Sequence, residues 1–419
     1  MGKTDNHEEN KEKNSQDFRS SRFFRSNIAA IASSGAVNGF GSVIISTYIL
    51  YYFVSIGGDA FRFGVLTSAS TIIQCLVFFL GGRLADRYGR RRIIVIAAFY
   101  AILFPILYAL IRDWRIFFAT VALSAFGSIS SPASHATVAD SVRAEKRATE
   151  ISTIQVVSSS PMILSPLIGG WLIETYGRQD GFRLACLFVA ATTLVSAIIL
   201  MLLLKETSRP LNGQESSGPN NSTVSIRGLS ANVLHSLVSL LFAYGLVAFA
   251  NALISSYYIL YATQVVGLDA WQYGTIVSLQ FLPIILLKIP GGLAADRFGK
   301  KKIMIISILT CTPFVVAFTF SRSFLEAAIT MILLAIAGMF YAPSHEALQA
   351  DLTPREMRGR ITSLWDISGA VGAALGAPLG GFLFQTISPA TPFYLFAAIE
   401  VAAAIVILVA VKEPRETEA

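Results

Sequence analysis

The chain is predicted to be an all-α integral membrane protein: twelve transmembrane helices in two six-helix bundles related by an internal parallel repeat, with both termini cytoplasmic. Three observations predict this. Hydrophobic residues make up 54% of the chain against 14% charged, with a mean hydropathy of +0.60. Twelve apolar stretches are each long enough to cross a bilayer as a helix. Residues of the first half also recur at a fixed offset in the second, in the same orientation.

Taken in order, a polar tail (1–27) lacks the apolar core and cleavage site of a signal peptide and reads as a disordered cytoplasmic segment. The first bundle (28–204) holds stretches from Ile28 to Ile56, Phe63 to Gly82, Ile93 to Ile111, Ile116 to Ala136, Ile151 to Ile173 and Leu184 to Leu204. A linker (205–232) is rich in Ser, Asn, Gly and Pro and has no apolar periodicity. The second bundle (233–411) holds Val233 to Val266, Tyr273 to Gly292, Ile303 to Phe320, Ala327 to Ser344, Ile361 to Ile387 and Phe393 to Val411, before a short tail (412–419). Lengths of this kind exclude the shorter alternating segments of a membrane barrel.

The net charge of +7 comes from cations gathered in the N-terminal tail and in alternate connections, while the intervening connections carry few. That asymmetry orients the chain and places both termini in the cytoplasm; it does not describe a nucleic-acid surface. Cys75, Cys186 and Cys311 lie far apart in apolar stretches and read as small buried hydrophobes.

Ser46, Tyr48, Ile49, Leu50 and Tyr51 match Ser256, Tyr258, Ile259, Leu260 and Tyr261 at one offset, which also pairs Gly57, Asp59 and Gly64 with Gly267, Asp269 and Gly274. One residue further out of step, Pro132, Asp140 and Arg147 match Pro343, Asp351 and Arg358. The most informative copies are GGRLADRYGRRR (Gly81 to Arg92) and GGLAADRFGKKK (Gly291 to Lys302). In each, paired glycines lead through Ala-Asp-Arg-aromatic-Gly to three cations, which reads as a tight connection held on one side of a bilayer.

These residues resemble the major facilitator superfamily, whose signature between the second and third helices has the form G-x-L-A-D-R-x-G-R-[KR]. Gly82 to Arg91 fits it, and Gly292 to Lys301 fits except that Ala294 replaces Leu and Lys300 replaces Arg. The resemblance covers Ile28 to Val411 and implies a rocker-switch transporter with a central site alternately open to either side. It further implies a cytoplasmic gate of Asp86, Arg87, Arg90, Arg91, Asp140 and Arg147 in the first half and Asp296, Arg297, Lys300, Lys301, Asp351 and Arg358 in the second. Pro166-Leu167-Ile168-Gly169-Gly170 is similar to an element of drug and proton antiporters, with Ser165 where that element has Gly; close packing of small residues explains it equally well.

Ionisable groups within spans are costly and ask for a reason. In the first half every carboxylate sits at a span end or in a loop; in the second, Lys288, Asp366 and Glu400 lie inside. Lys288 is read as snorkelling to the interface. Asp366 is read as pairing with Lys288, joining the gate with Arg90 or Arg91, or carrying a proton, in that order. Glu400 lies deeper, but on a final helix expected to pack away from the cavity, and it reads as a carboxyl that is locally hydrogen-bonded or protonated rather than as a coupling site. His135 and His345 read as interfacial.

The resemblance also puts helices one, four, seven and ten at the centre. The expected lining is Asn38, Ser42, Tyr48 and Tyr52 from helix one, Asn251, Ser255 and Tyr258 from helix seven, and Gln155, with Gln74 and Gln280 near the interface between halves. Such a lining suits a neutral or amphiphilic organic molecule better than a polyanion. The expected function is therefore a secondary transporter, a monomer in the cell membrane, that exports a small hydrophobic or amphiphilic solute, with protons the candidate coupling ion. An importer of a neutral solute and a receptor built on a transporter fold stay open. No cofactor or metal is implied, since no ligand cluster, nucleophile-base pair or phosphate loop is evident, and an enzyme is not expected.

Overall fold

A computed structural model of the protein describes residues 5–141, 155–207, 231–353 and 357–412. The first half runs α1 (Asn27–Ser55), α2 (Ala60–Tyr88), α3 (Arg90–Leu110), α4 (Trp114–Val138), α5 (Gln155–Tyr176) and α6 (Arg178–Leu203). The second runs α7 (Val233–Val266), α8 (Ala270–Leu286), α9 (Lys300–Phe318), α10 (Phe324–Leu352), α11 (Ile361–Thr386) and α12 (Thr391–Ala410). Eleven of these are long and apolar enough to span a membrane, and α8 is the shorter one. The eighth stretch, expected as one span, is divided: α8 stops at Leu287 (φ −98°, ψ 0°) and a second helix, Lys288–Phe298, follows at once.

Helix starts explain where the loop carboxylates went. Asp59, Asp113 and Asp269 each accept a hydrogen bond from an N–H in the first turn of α2, α4 and α8, and Asp269 forms a capping box with Gln272. These side chains satisfy helix ends. At the opposite ends of α2 and of Lys288–Phe298, one residue alone separates consecutive helices. Gly89 (φ 92°) and Gly299 (φ 96°) hold backbone conformations that a side chain would disfavour, which is why the signature needs glycine there.

Within the first half α6 packs on α1 and α3; within the second α7 packs on α11 and α12, and α9 on α12. The halves meet through α2 against α11 and α5 against α8. The face carrying the start of α1 and the end of α12, with both signature connections, is called the terminal face below; the opposite one is the far face.

The repeat is real but its register in α7 is not the one that letters suggest. Tyr48 and Tyr52 donate to the carbonyls of Pro166 and Ile111; the residues that do the corresponding work in α7 are Tyr257 and Tyr261, donating to Ala377 and Thr319. Tyr258, matched to Tyr48 by sequence, is one position off. The cause is a π-helical turn at Ala262–Val266, which absorbs one extra residue between Tyr261 and Gly267 and restores the original offset beyond it.

Candidate functional site

Two tyrosines close the far face. The Tyr48 hydroxyl lies 2.7 Å from the Pro166 carbonyl in its own half and 3.0 Å from the Ala270 carbonyl in the other. Tyr257 mirrors it, 2.7 Å from the Ala377 carbonyl in its own half and 3.3 Å from that of Ala60. Both side chains are fully buried. Backbones approach so closely here that a Cβ on Gly274 would fall 2.4 Å from the Pro166 oxygen, and one on Gly64 would fall 2.3 Å from the Ala377 oxygen. Of the glycines in the Pro-Leu-Ile-Gly-Gly element, Gly170 serves contact between halves, since a Cβ there would meet the Ala270 oxygen at 2.6 Å, while Gly169 lies against Ile44 and Tyr48 of its own half. Ser68 of α2 adds a bond to the Ala374 carbonyl of α11, and the rings of Phe61 and Phe382 meet with centroids 6.2 Å apart.

Tyr48 and Tyr52 were expected to line the cavity, and the structure corrects this. Tyr48 is consumed by the closure, and Tyr52 is stacked on Phe182 at 4.4 Å with its hydroxyl on the Ile111 carbonyl. Both hydroxyl protons are thus committed inside packed helices.

Beneath the closure lies a cavity of about 340 Å³ shared by both halves. Ser46 and Thr47 of α1 face Ser255 and Ser256 of α7 across it, and in the corrected register these are equivalent pairs. Tyr258 and Gln280 complete its polar wall, Gln280 being held by a 3.0 Å bond to the Met331 carbonyl. Sequence reasoning missed Ser46 and Thr47 as lining residues; the correct register would have found them. Asn38 and Ser42 are exposed on the turns of α1 leading away from Ser46 toward the terminal face, at helical spacing that keeps one polar stripe. Asn251 and Ser255 line a further cavity within the second half, which also takes in Tyr258. Gln155 is exposed at the terminal-face end of α5.

Toward the terminal face a larger cavity, about 610 Å³, opens between α2, α4 and α11. Gln74, Cys75 and His135 from one half line it together with Asp366 from the other. Asp366 is exposed to this space. The Asp366–Lys288 pairing falls on a Lys288 side chain outside the described residues. Two readings from sequence change here. Cys75 and Cys311 are only partly buried and line cavities, unlike Cys186. His345 is not interfacial; it is buried between the rings of Tyr244 and Tyr341, with centroids at 4.7 and 5.6 Å, and edge-on to Trp365.

Signature cations act within each half. Arg90 pairs with Asp140, and Lys300 pairs with Asp351 at 2.5 Å, tying the start of α3 to α4 and the start of α9 to α10. Arg91 donates to the Met201 carbonyl near the end of α6, and Lys301 to those of Leu408 and Val411 at the end of α12. Cations belong at helix C-termini, where carbonyls lack partners. Glu206, where the linker begins, accepts from the backbone N–H groups of Arg90 and Arg91 at 3.1 Å. Asp86, Arg87, Asp296 and Arg297 are exposed at this face. Arg147 and the side chain of Arg358 lie outside the described residues.

The chain matches the Major Facilitator Superfamily over residues 31–269 and again over 240–419. It is 24% identical over 389 residues to Multidrug resistance protein 1 of Bacillus subtilis (strain 168), covering 91% of this chain and 94% of that one. It is likewise 24% identical to Multidrug resistance protein MdtG of Escherichia coli O9:H4 (strain HS), over 75% and 77% of the two chains. Among solved structures, it superposes with a TM-score of 0.71 on a bacterial homolog of the human lysosomal transporter Spinster in an inward-facing and occupied conformation, at 16% identity over 91% and 96% of the chains. A peptide transporter, POT, in complex with sulfate gives a TM-score of 0.72 at 16% identity over 93% and 96%. Two halves joined through α2–α11 and α5–α8, a duplicated signature connection and matches spanning both halves lead to one assignment: the chain is a membrane transporter of the major facilitator superfamily.

Proposed function

We propose that the protein exports a small hydrophobic or amphiphilic organic solute by rocking its two halves about the central cavity. The observation that carries this is the asymmetry of that cavity: Tyr48 and Tyr257 shut it at the far face, while the space lined by Gln74, His135 and Asp366 lies between the halves toward the terminal face. With the Lys and Arg excess assigning the terminal face to the cytoplasm, this arrangement receives solute from the cytoplasm. The names of the multidrug resistance relatives support export, and a lining of hydroxyls, amides and aromatic rings without fixed cations supports an uncharged or amphiphilic body.

In this reading the signature residues bias the two closed arrangements. Asp86 and Asp296, exposed when the terminal face is open, meet the opposite half when it closes, with Arg147 and Arg358 in the surrounding charge clusters. Asp366 belongs to the same closing surface. The protein works as a monomer, and a proton is the coupling ion. A second reading, movement of a neutral polar solute, draws on the four facing hydroxyls of Ser46, Thr47, Ser255 and Ser256.

Purified protein in liposomes, loaded with a hydrophobic dye or a neutral sugar and tested with and without a pH gradient, checks all of this. Dye movement above that of protein-free vesicles, accelerated by the gradient, is the expected result. Movement of neither solute under any gradient sinks transport of both classes.

A further inference from the structure

Glu400 does not lie where a final helix would be expected to leave it. It is 3% exposed, and it lines a cavity of about 250 Å³ inside the second half. The walls include Asn251 and Tyr258 of α7, Cys311 of α9, Tyr341 of α10 and Phe396 of α12. No Lys, Arg or His is among the lining residues, and no hydrogen bond or ion pair engages the Glu400 carboxyl among the described residues. A buried acid in a span without a partner marks a function by default, because its desolvation is otherwise uncompensated.

The pocket is not isolated from the solute path. Ser255 and Tyr258 line both it and the central cavity, and α7 departs from helical form at residues 255–257, so the partition between the two spaces is a turn. Its volume falls below the roughly 300–1,000 Å³ of pockets that enclose whole drug-sized ligands, so it takes a group rather than a molecule. A carboxyl that shares a pocket with tyrosine and phenylalanine side chains is the chemistry that holds a positive charge.

We propose that Glu400 is a specificity-determining residue, and that its pocket receives the positively charged group of an organic cation whose apolar body stays in the central cavity. This rests on the reading of that cavity as a solute site.

The test compares the trimethylammonium derivative of diphenylhexatriene with the uncharged parent, in binding to protein in nanodiscs and in transport by proteoliposomes. Glu400→Gln is expected to weaken binding of the cation at least tenfold and that of the neutral probe less than twofold, with Glu400→Asp retaining most of the cation affinity. Equal weakening of both probes, or none of either, overturns the proposal. Cys311 gives a readout that needs no substitution: the cation should protect it from N-ethylmaleimide while Cys75, outside the pocket, stays reactive, and an unprotected Cys311 in cation-saturated protein overturns the site. Wild-type protein that moves the neutral probe but neither binds nor moves the cation defeats the Glu400 site and leaves export standing. Protein that moves neither probe defeats the export reading, while Cys311 protection still reports on the pocket.

Discussion

Tyr48 and Tyr257 occupy equivalent positions in opposite halves, each hydroxyl set between one carbonyl of its own half and one of the other. Hydrogen bonds between membrane helices contribute about 0.6 kcal/mol on average, so each tyrosine carries a factor of roughly three in the balance between closed and open far faces. Tyr257→Phe is expected to shift the population about threefold toward the far-face-open state, and Tyr48→Phe/Tyr257→Phe by close to tenfold. Spin labels at Phe61 and Phe382, whose rings touch in the closed state, measure this as a growing long-distance component. An unchanged distance distribution in the double variant would show that the hydroxyls are passengers.

Gly274→Val should act through sterics instead. Its first added carbon alone would come within 2.4 Å of the Pro166 oxygen and 2.1 Å of the Tyr48 hydroxyl, and backbone cannot move aside as a side chain can. Transport is expected to fall more than tenfold with membrane insertion intact, read from uptake rates and from the yield of monodisperse protein. Near-normal uptake would mean that the far face closes by some other contact.

The π-turn yields a prediction that runs against the usual cost of deleting a residue from a span. Because α1 makes the same connection from Tyr52 to Gly57 with one residue fewer, deleting Val265 is expected to convert the turn to α-helix with yield and transport within about twofold of wild type. Deleting Val54 from α1 is expected to abolish folding. Equal damage from the two deletions, compared by yield and thermal stability, would refute the assigned register.

Asp366→Asn is expected to leave solute binding in the central cavity within twofold and to slow transport several-fold, since Asp366 lines the terminal-face space and not the wall made by Ser46, Thr47 and Ser255. Its proton dependence should persist. Binding that survives while proton-driven transport disappears would assign the coupling proton to Asp366 itself.

The span layout, the duplication and the signature connections were readable because each is written in side-chain letters: runs of apolar residues, a repeated Asp-Arg-aromatic-Gly, and clustered cations. The far-face closure was not, because most of it is backbone. Its acceptors are the carbonyls of Ala60, Pro166, Ala270 and Ala377, which leave no trace in sequence apart from the glycines that let them approach. Tyr258 was mistaken for the partner of Tyr48 because the Tyr-Ile-Leu-Tyr strings align perfectly in the wrong register, and a one-residue bulge shows itself only in hydrogen bonding. Glu400 was assigned away from the cavity by its place in the last helix. Only the packing of α12 against α7 and α9 turns its carboxyl into a pocket, one lined by apolar residues as well as by Asn251, Ser255 and Tyr258.

A phenol carries a single proton, and at both tyrosines the shorter contact is to the half that owns it: 2.7 Å to Pro166 against 3.0 Å to Ala270, and 2.7 Å to Ala377 against 3.3 Å to Ala60. When the halves separate, that proton keeps its nearer acceptor, and no buried donor is stranded in hydrocarbon. Release therefore costs only the longer of each tyrosine's two contacts, about 0.6 kcal/mol apiece, without the further penalty of an unpaired donor in hydrocarbon.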